Sequence, residues 1–153
     1  HYMKVAIASD HGGFQYKQIL LEHFQKLGYQ ITDLGSFEEQ PTDDYPDYAE
    51  RVADAVIKGG FSRGILICGS GAGVSVAANK FMGIRAAVCH DTYSAHQSVE
   101  HDNVNVLCMG QRVIGIELAV DIAAAFLSAV FNKEERHQRR LDKVLSFENR
   151  NMK

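Results

Sequence analysis

Cys68 is followed by Gly69, Ser70, Gly71, Ala72 and Gly73, a thiol at the mouth of a loop with three alternating glycines. Glycines at that spacing let backbone N–H groups turn inward where a helix begins, which suits an oxyanion, a carboxylate or a phosphate. A thiol at a helix start has its thiolate favoured by the helix dipole, which makes it a usable base or nucleophile near neutral pH. Plainer explanations stand beside these. The glycines also suit a tight turn that needs positive φ, and a lone cysteine at a strand end is usually inert. Cys89 and Cys108 end apolar runs without a glycine loop and are read as inert core thiols. The loop is not a nucleotide signature, because no Lys-Ser/Thr pair closes it and the first strand exits into His11-Gly12-Gly13. A cysteine phosphatase fails at Val74, where an arginine six residues after the thiol would have to hold the phosphate.

Other groups could join that thiol. Asp10-His11 leaves the first apolar run and could orient a hydroxyl or bind an anion, although capping and turn chemistry is the commoner role of such a pair. His101-Asp102-Asn103 offers a second acid and base with the same plain alternative. Arg136 and Arg140, four apart, share a helix face and could fork a phosphate, or form a solvated charged face offset by Glu134 and Glu135. Arg112 is a third cation, just past an apolar run. His90, His96 and His101 are not spaced as zinc ligands, and no metal site is expected.

The elements that must position these residues alternate along the chain. Strands are expected over Lys4–Ser9, Tyr29–Leu34, Gly64–Cys68, Arg85–Cys89 and Val104–Met109. Helices are expected from Phe14 to Leu27, Asp47 to Lys58, the glycine loop to about Phe81, Thr92 to His101, Gly115 to Phe131, and onward from Glu134. Five β-then-α units predict an α/β, Rossmann-like three-layer sandwich: a five-stranded parallel sheet of order 2-1-3-4-5, with an extra C-terminal helix. Ligands in such sheets sit beyond the carboxyl ends of the strands where strand order reverses, here between strands one and three. Ser9 to Gly13 and Cys68 to Gly73 leave those two strands. One domain over residues 3–150 is expected, with His1 and Tyr2 ahead of Met3 lying outside the fold.

Bulk composition narrows the function classes. Among 153 residues, 46% are hydrophobic and 23% charged, with a net charge of −3, so nothing draws the whole molecule toward nucleic acid or an anionic membrane. Three cysteines with no CxxC pair point to a reducing compartment, and no apolar run or leader suggests a membrane or secretion; a cytoplasmic location is expected. The apolar residues Leu141, Val144, Leu145 and Phe147 of the last helix need a surface to cover, and a partner subunit is a candidate.

Several motifs together resemble one family. Asp10-His11-Gly12-Gly13-Phe14, Asp44-Tyr45-Pro46-Asp47-Tyr48-Ala49, Ile65 to Gly73, and Ala77-Ala78-Asn79-Lys80 with Gly83-Ile84-Arg85-Ala86 are similar, in order, to segments of the type B ribose-5-phosphate isomerases. Asn105-Val106-Leu107, Gly110-Gln111-Arg112-Val113 and Arg136-His137-Gln138-x-Arg140 continue the match. That family also includes galactose-6-phosphate isomerase subunits and allose-6-phosphate isomerases. The resemblance implies a cofactor-independent aldose–ketose isomerisation, ribose 5-phosphate to ribulose 5-phosphate through an enediolate, with Cys68 as the base. It implies an oxyanion loop of Gly69, Gly71, Ala72, Gly73 and Val74, and ring opening by His101 with Ser70 and Asp10. It implies phosphate binding by His11, Arg112, Arg136 and Arg140, with Tyr45 and Asp102 in the pocket. Family members are dimers or tetramers with sites shared between subunits, which implies a homodimer or homotetramer here. Val74 departs from the subgroup that uses a glutamate there in place of the cysteine. Asp102 departs from the asparagine common after the histidine, adding negative charge near a phosphorylated sugar. A six-carbon sugar phosphate is the alternative substrate. A non-catalytic flavodoxin-like binder of a phosphorylated ligand or flavin is the alternative class.

Overall fold

Runs of apolar residues form five strands: β1 (Lys4–Ser9), β2 (Gln30–Asp33), β3 (Arg63–Cys68), β4 (Ala86–Val88) and β5 (Val106–Gly110). The computed structural model, which describes residues 3–153, links them through α1 (Phe14–Lys26), α2 (Tyr45–Lys58), α3 (Ala72–Ala78) and α4 (Thr92–Asp102). Two further helices, α5 (Ile116–Ser128) and α6 (Glu135–Asn151), follow the last strand. His1 and Tyr2, expected to stand outside the fold, are not among the described residues. All strand pairs are parallel, as the alternation of strand and helix requires.

The sheet order is β2-β1-β3-β5-β4, which corrects the expected 2-1-3-4-5. The two last strands exchange places for a reason visible in their burial. Every residue of β5 is buried, whereas β4 is three residues long and partly exposed throughout. A strand apolar on both faces belongs inside a parallel sheet, and a short, half-exposed one belongs at its edge. Right-handed crossovers then set the layers, with α3 on one face carrying the chain outward to β4 and α4 returning it on the other. One core joins α1, α4 and α5 to the sheet through Leu20, Phe24, Val99, Ile122 and Phe126. The opposite core joins α2 and α3 through Tyr48, Val52, Val74 and Ala78. Because β1 and β3 remain neighbours, the switch point between them survives the reordering.

A buried lysine and a half-buried arginine tie layers together. The Lys17 side chain is 0% exposed and its Nζ lies 2.8 Å from Asp33 Oδ2, linking α1 to the end of β2. Arg63 donates to the carbonyls of Phe126, Leu127 and Ala129 at 2.6, 3.1 and 2.5 Å, satisfying acceptors that the end of α5 leaves open. The α6 helix buries only His137 and Leu141, leaving Val144, Leu145 and Phe147 exposed on one side. Among the described residues, no helix is long and apolar enough to cross a membrane.

Candidate active site

The C-terminal edge of the sheet brings three strand exits together. Cys68, the last residue of β3, is 5% exposed, and its Sγ accepts a hydrogen bond from Gly71 N at 3.1 Å. Gly71 caps α3 with φ +80, and a Cβ there would stand 2.9 Å from the Met109 carbonyl carbon, so both backbone shape and space call for glycine. Ser70 Oγ accepts from Ala72 N at 3.2 Å. The N–H groups of Gly73 and Val74 lie in the first turn of α3, where a helix supplies no internal acceptor. Tyr45, the first residue of α2, lays its ring over Gly73, where any Cβ would approach the ring to 2.8 Å. The loop after β5 is stitched to the glycine loop, with Gln111 N donating to Cys68 O at 2.9 Å and Arg112 N to Gly69 O at 3.0 Å.

Asp10, His11, Gly12, Gly69, Ser70 and Arg112 line a cavity of about 400 Å³ directly above this junction. Asp10 is buried and accepts from Gly12 N at 2.9 Å; burial raises its carboxyl above the usual range, and that backbone bond only partly opposes the rise. The His11 ring is held from behind, its Nδ1 lying 2.6 Å from Asp43 Oδ1. The guanidinium of Arg112 has no carboxylate within ion-pair distance among the described residues. A positive group without a partner at a cavity wall is suited to an incoming anion.

The other expected site residues lie elsewhere in the chain. His101 and Asp102 end α4, just ahead of β5, at the opposite edge of the sheet from Cys68. The pair Gly64↔Val106 lies four strand steps from Cys68↔Gly110, which is about 13 Å at 3.3 Å per residue. His101 stacks face to face on His137, with centroids 4.3 Å apart and planes 16° from parallel. Its Nδ1 lies 3.1 Å from Gln97 Nε2. Burial, then the nearby His101 and arginines, push the His137 imidazole below its usual range. Arg136 contacts Glu134 at 3.4 Å, while Arg140, also exposed, has no carboxylate partner among the described residues. The residues expected to act together therefore form two groups: Cys68, the glycine loop, Asp10, His11, Arg112 and Tyr45 at one edge, and His101, Asp102, Arg136 and Arg140 at the other. Asn103, which follows the departing Asp102, takes the left-handed conformation (φ 51) that ends α4, a role asparagine fills more readily than most residues.

Sequence reasoning passed over Asp43 and gave His90 and His137 no role of their own. Asp43 sits in a polar loop without periodicity, and its partners come from distant segments. His90 Nε2 accepts from Gly110 N at 2.9 Å, fixing the exit of β5. Asp10, His11 and Asp43 are also the grouping of potential metal ligands among the described residues, with one ligand atom of each within 4.8 Å of the others. His11 and Asp43 are already bonded to one another, and both carboxylates accept from backbone N–H groups.

Comparison with known proteins decides the family. Residues 5–144 match the ribose/galactose isomerase family. The chain belongs to that family. It is 46% identical over 147 residues to ribose-5-phosphate isomerase B of Escherichia coli, covering 96% of this chain and 97% of that one. A crystal structure of ribose-5-phosphate isomerase B from Mycoplasma genitalium with bound ribulose-5-phosphate superposes with a TM-score of 0.91, at 42% identity and covering 97% of both chains. D-erythrulose-4-phosphate isomerase 2 of Mycolicibacterium smegmatis is 38% identical, covering 95% of this chain and 97% of that one. As a member of the ribose/galactose isomerase family, the chain is a sugar-phosphate aldose–ketose isomerase.

Proposed function

We propose that this isomerase interconverts ribose 5-phosphate and ribulose 5-phosphate, with Cys68 as the base that moves the proton. The observation that carries the reading is the junction itself: a thiol under a glycine loop, beside a cavity walled by His11 and by Arg112, which has no carboxylate partner among the described residues. In the forward direction Cys68 thiolate removes the proton from C2, and the C–H electrons form the C1–C2 double bond as the carbonyl oxygen on C1 becomes an oxyanion. The N–H groups of Gly73 and Val74 and their neighbours in the loop face that charge, the kind of fixed dipole that lowers such barriers most. The thiol returns the proton to C1, and the hydroxyl proton of O2 passes to O1, leaving a ketone at C2. Asp10 and Ser70 lie beside the cavity where the sugar hydroxyls would sit. Electrons only shift between neighbouring carbons, so the step needs no external oxidant or reductant.

The site is completed by a second copy of the chain, as a homodimer or as pairs within a homotetramer. Two observations support this. His101, Arg136 and Arg140 lie at the far edge of the sheet from Cys68, and α6, which carries both arginines, leaves an apolar face uncovered. His101 of one copy would open the sugar ring in the site of the other, and the two arginines would join His11 and Arg112 on the phosphate. The relative named for D-erythrulose 4-phosphate favours a second reading, a four-carbon substrate turned over by the same enediolate chemistry. Steady-state kinetics on ribose 5-phosphate, erythrulose 4-phosphate, allose 6-phosphate and galactose 6-phosphate test both. The highest kcat/KM on ribose 5-phosphate supports the proposal, and the highest on another sugar overturns it.

A further inference from the structure

We propose that Asp43 is a positioning residue for phosphate binding, anchoring His11 through ring and backbone so that Nε2 presents a proton to the cavity shared with Arg112. The inference rests on the reading that His11 meets the phosphate of the substrate. Asp43 Oδ1 receives His11 N at 3.1 Å and lies 2.6 Å from Nδ1, while Oδ2 accepts from Tyr48 OH at 3.0 Å. The carboxylate is therefore held on both oxygens, and its side chain is only 7% exposed against 41% for His11. An ionised carboxylate can only accept, so Nδ1 carries a proton and Nε2 is the nitrogen left to face the cavity. Nε2 donates to a phosphate only when the ring is the imidazolium, which the carboxylate behind it favours.

The surrounding charges act in the same direction. The hydrogen bond to Asp43 raises the His11 imidazole above its usual range; partial desolvation works against this, and the carboxylates of Asp10, Asp43 and Glu39 reinforce it. On the other side of the cavity stands Arg112, which shares the anion and would disfavour a charged ring only while the cavity lacks one. Burial disfavours the charged form of Asp43, but the bonds from His11 and Tyr48 outweigh it and hold the carboxyl below the usual range. Substrate then binds best in a window. Its phosphate must be dianionic, above about pH 6, and His11 must remain protonated, below its raised value.

The test compares the intact wild-type protein with Asp43→Asn, which is similar in shape and removes the charge. KM for ribose 5-phosphate is expected to rise about tenfold just above the ordinary imidazole range, about pH 6.5, with kcat retained, and the difference is expected to shrink below it. In the substrate-free protein, the His11 ring resonance, assigned by its loss in His11→Gln, is expected to titrate at lower pH in Asp43→Asn. Tyr48→Phe takes a donor from the same carboxylate and is expected to move that titration the opposite way, to higher pH. A KM ratio independent of pH, or a His11 titration unmoved in both variants, overturns the proposal. His11→Gln separates the two readings: an unchanged KM there refutes phosphate binding by His11, whereas a raised KM with Asp43→Asn silent refutes only the role of Asp43.

Discussion

The proposed sharing of sites between two copies makes a prediction about mixtures of inactive proteins. Cys68→Ala removes the proposed base from one edge of the sheet, and Arg136→Ala with Arg140→Ala removes two cations from the other. If each site takes Cys68 from one copy and the arginines from its partner, a heterodimer of these two variants contains one intact site and one doubly damaged site. Equal co-expression with random pairing makes about half of the dimers mixed, so activity returns to about a quarter of the wild-type level per protein. The arginine variant alone should fall at least about 100-fold at subsaturating substrate, given about 1.5–3 kcal/mol for each charge-assisted hydrogen bond. The basis is topological: Cys68 ends β3, whereas His101 ends α4 ahead of β5 and stacks on His137 of α6, which puts His101 and the arginine-bearing helix at the other end of the strands, about 13 Å of β3 and β5 away. The assay is ribulose 5-phosphate formation by doubly tagged, twice-purified heterodimers. Recovery near a quarter in the mixture, or near half in purified heterodimers, supports the shared site. No recovery from verified heterodimers refutes it.

Two further outcomes follow from particular contacts. Asp33→Ala leaves the fully buried Lys17 with only Gln18 as a polar partner and should lower stability by about 3 kcal/mol in denaturant unfolding, whereas Glu22→Ala, which breaks the exposed pair with Lys26, should change it by less than about 0.5 kcal/mol. Asp102→Asn removes a negative charge from the half of the site proposed to carry Arg136 and Arg140, and should lower KM for ribose 5-phosphate about two- to fivefold at low salt, an effect that fades as salt is added.

Much of this molecule is legible in its residues because the informative signals are local. A continuous apolar run ending in Cys68, a glycine loop and a helix-length run after it locate the junction without any tertiary knowledge. The adjacency of β1 and β3 follows from parallel topology alone. The order of the last two strands does not, because α3 and α4 are compatible with either arrangement, and only the burial of all five residues of β5 against the short, exposed β4 separates them. Asp43 was overlooked for a related reason. Its function depends on His11, 32 residues earlier, and on a tyrosine one turn into α2, and no spacing rule joins the three. The division of the site residues between two ends of the sheet follows from where α4 ends, and parallel topology made it legible: a residue just ahead of a strand lies at the end opposite the strand exits.

The most direct test of the central claim is solvent exchange. In deuterated water the wild-type protein should place deuterium on the carbon-bound positions at C1 of ribulose 5-phosphate and C2 of ribose 5-phosphate, because a proton held on a thiol exchanges with solvent between removal and return. Cys68→Ala should still bind ribose 5-phosphate but lose this exchange by about 10²–10⁴-fold, the usual worth of a positioned base. Exchange that persists at the wild-type rate in Cys68→Ala would contradict the assignment of Cys68 as the group that moves the proton.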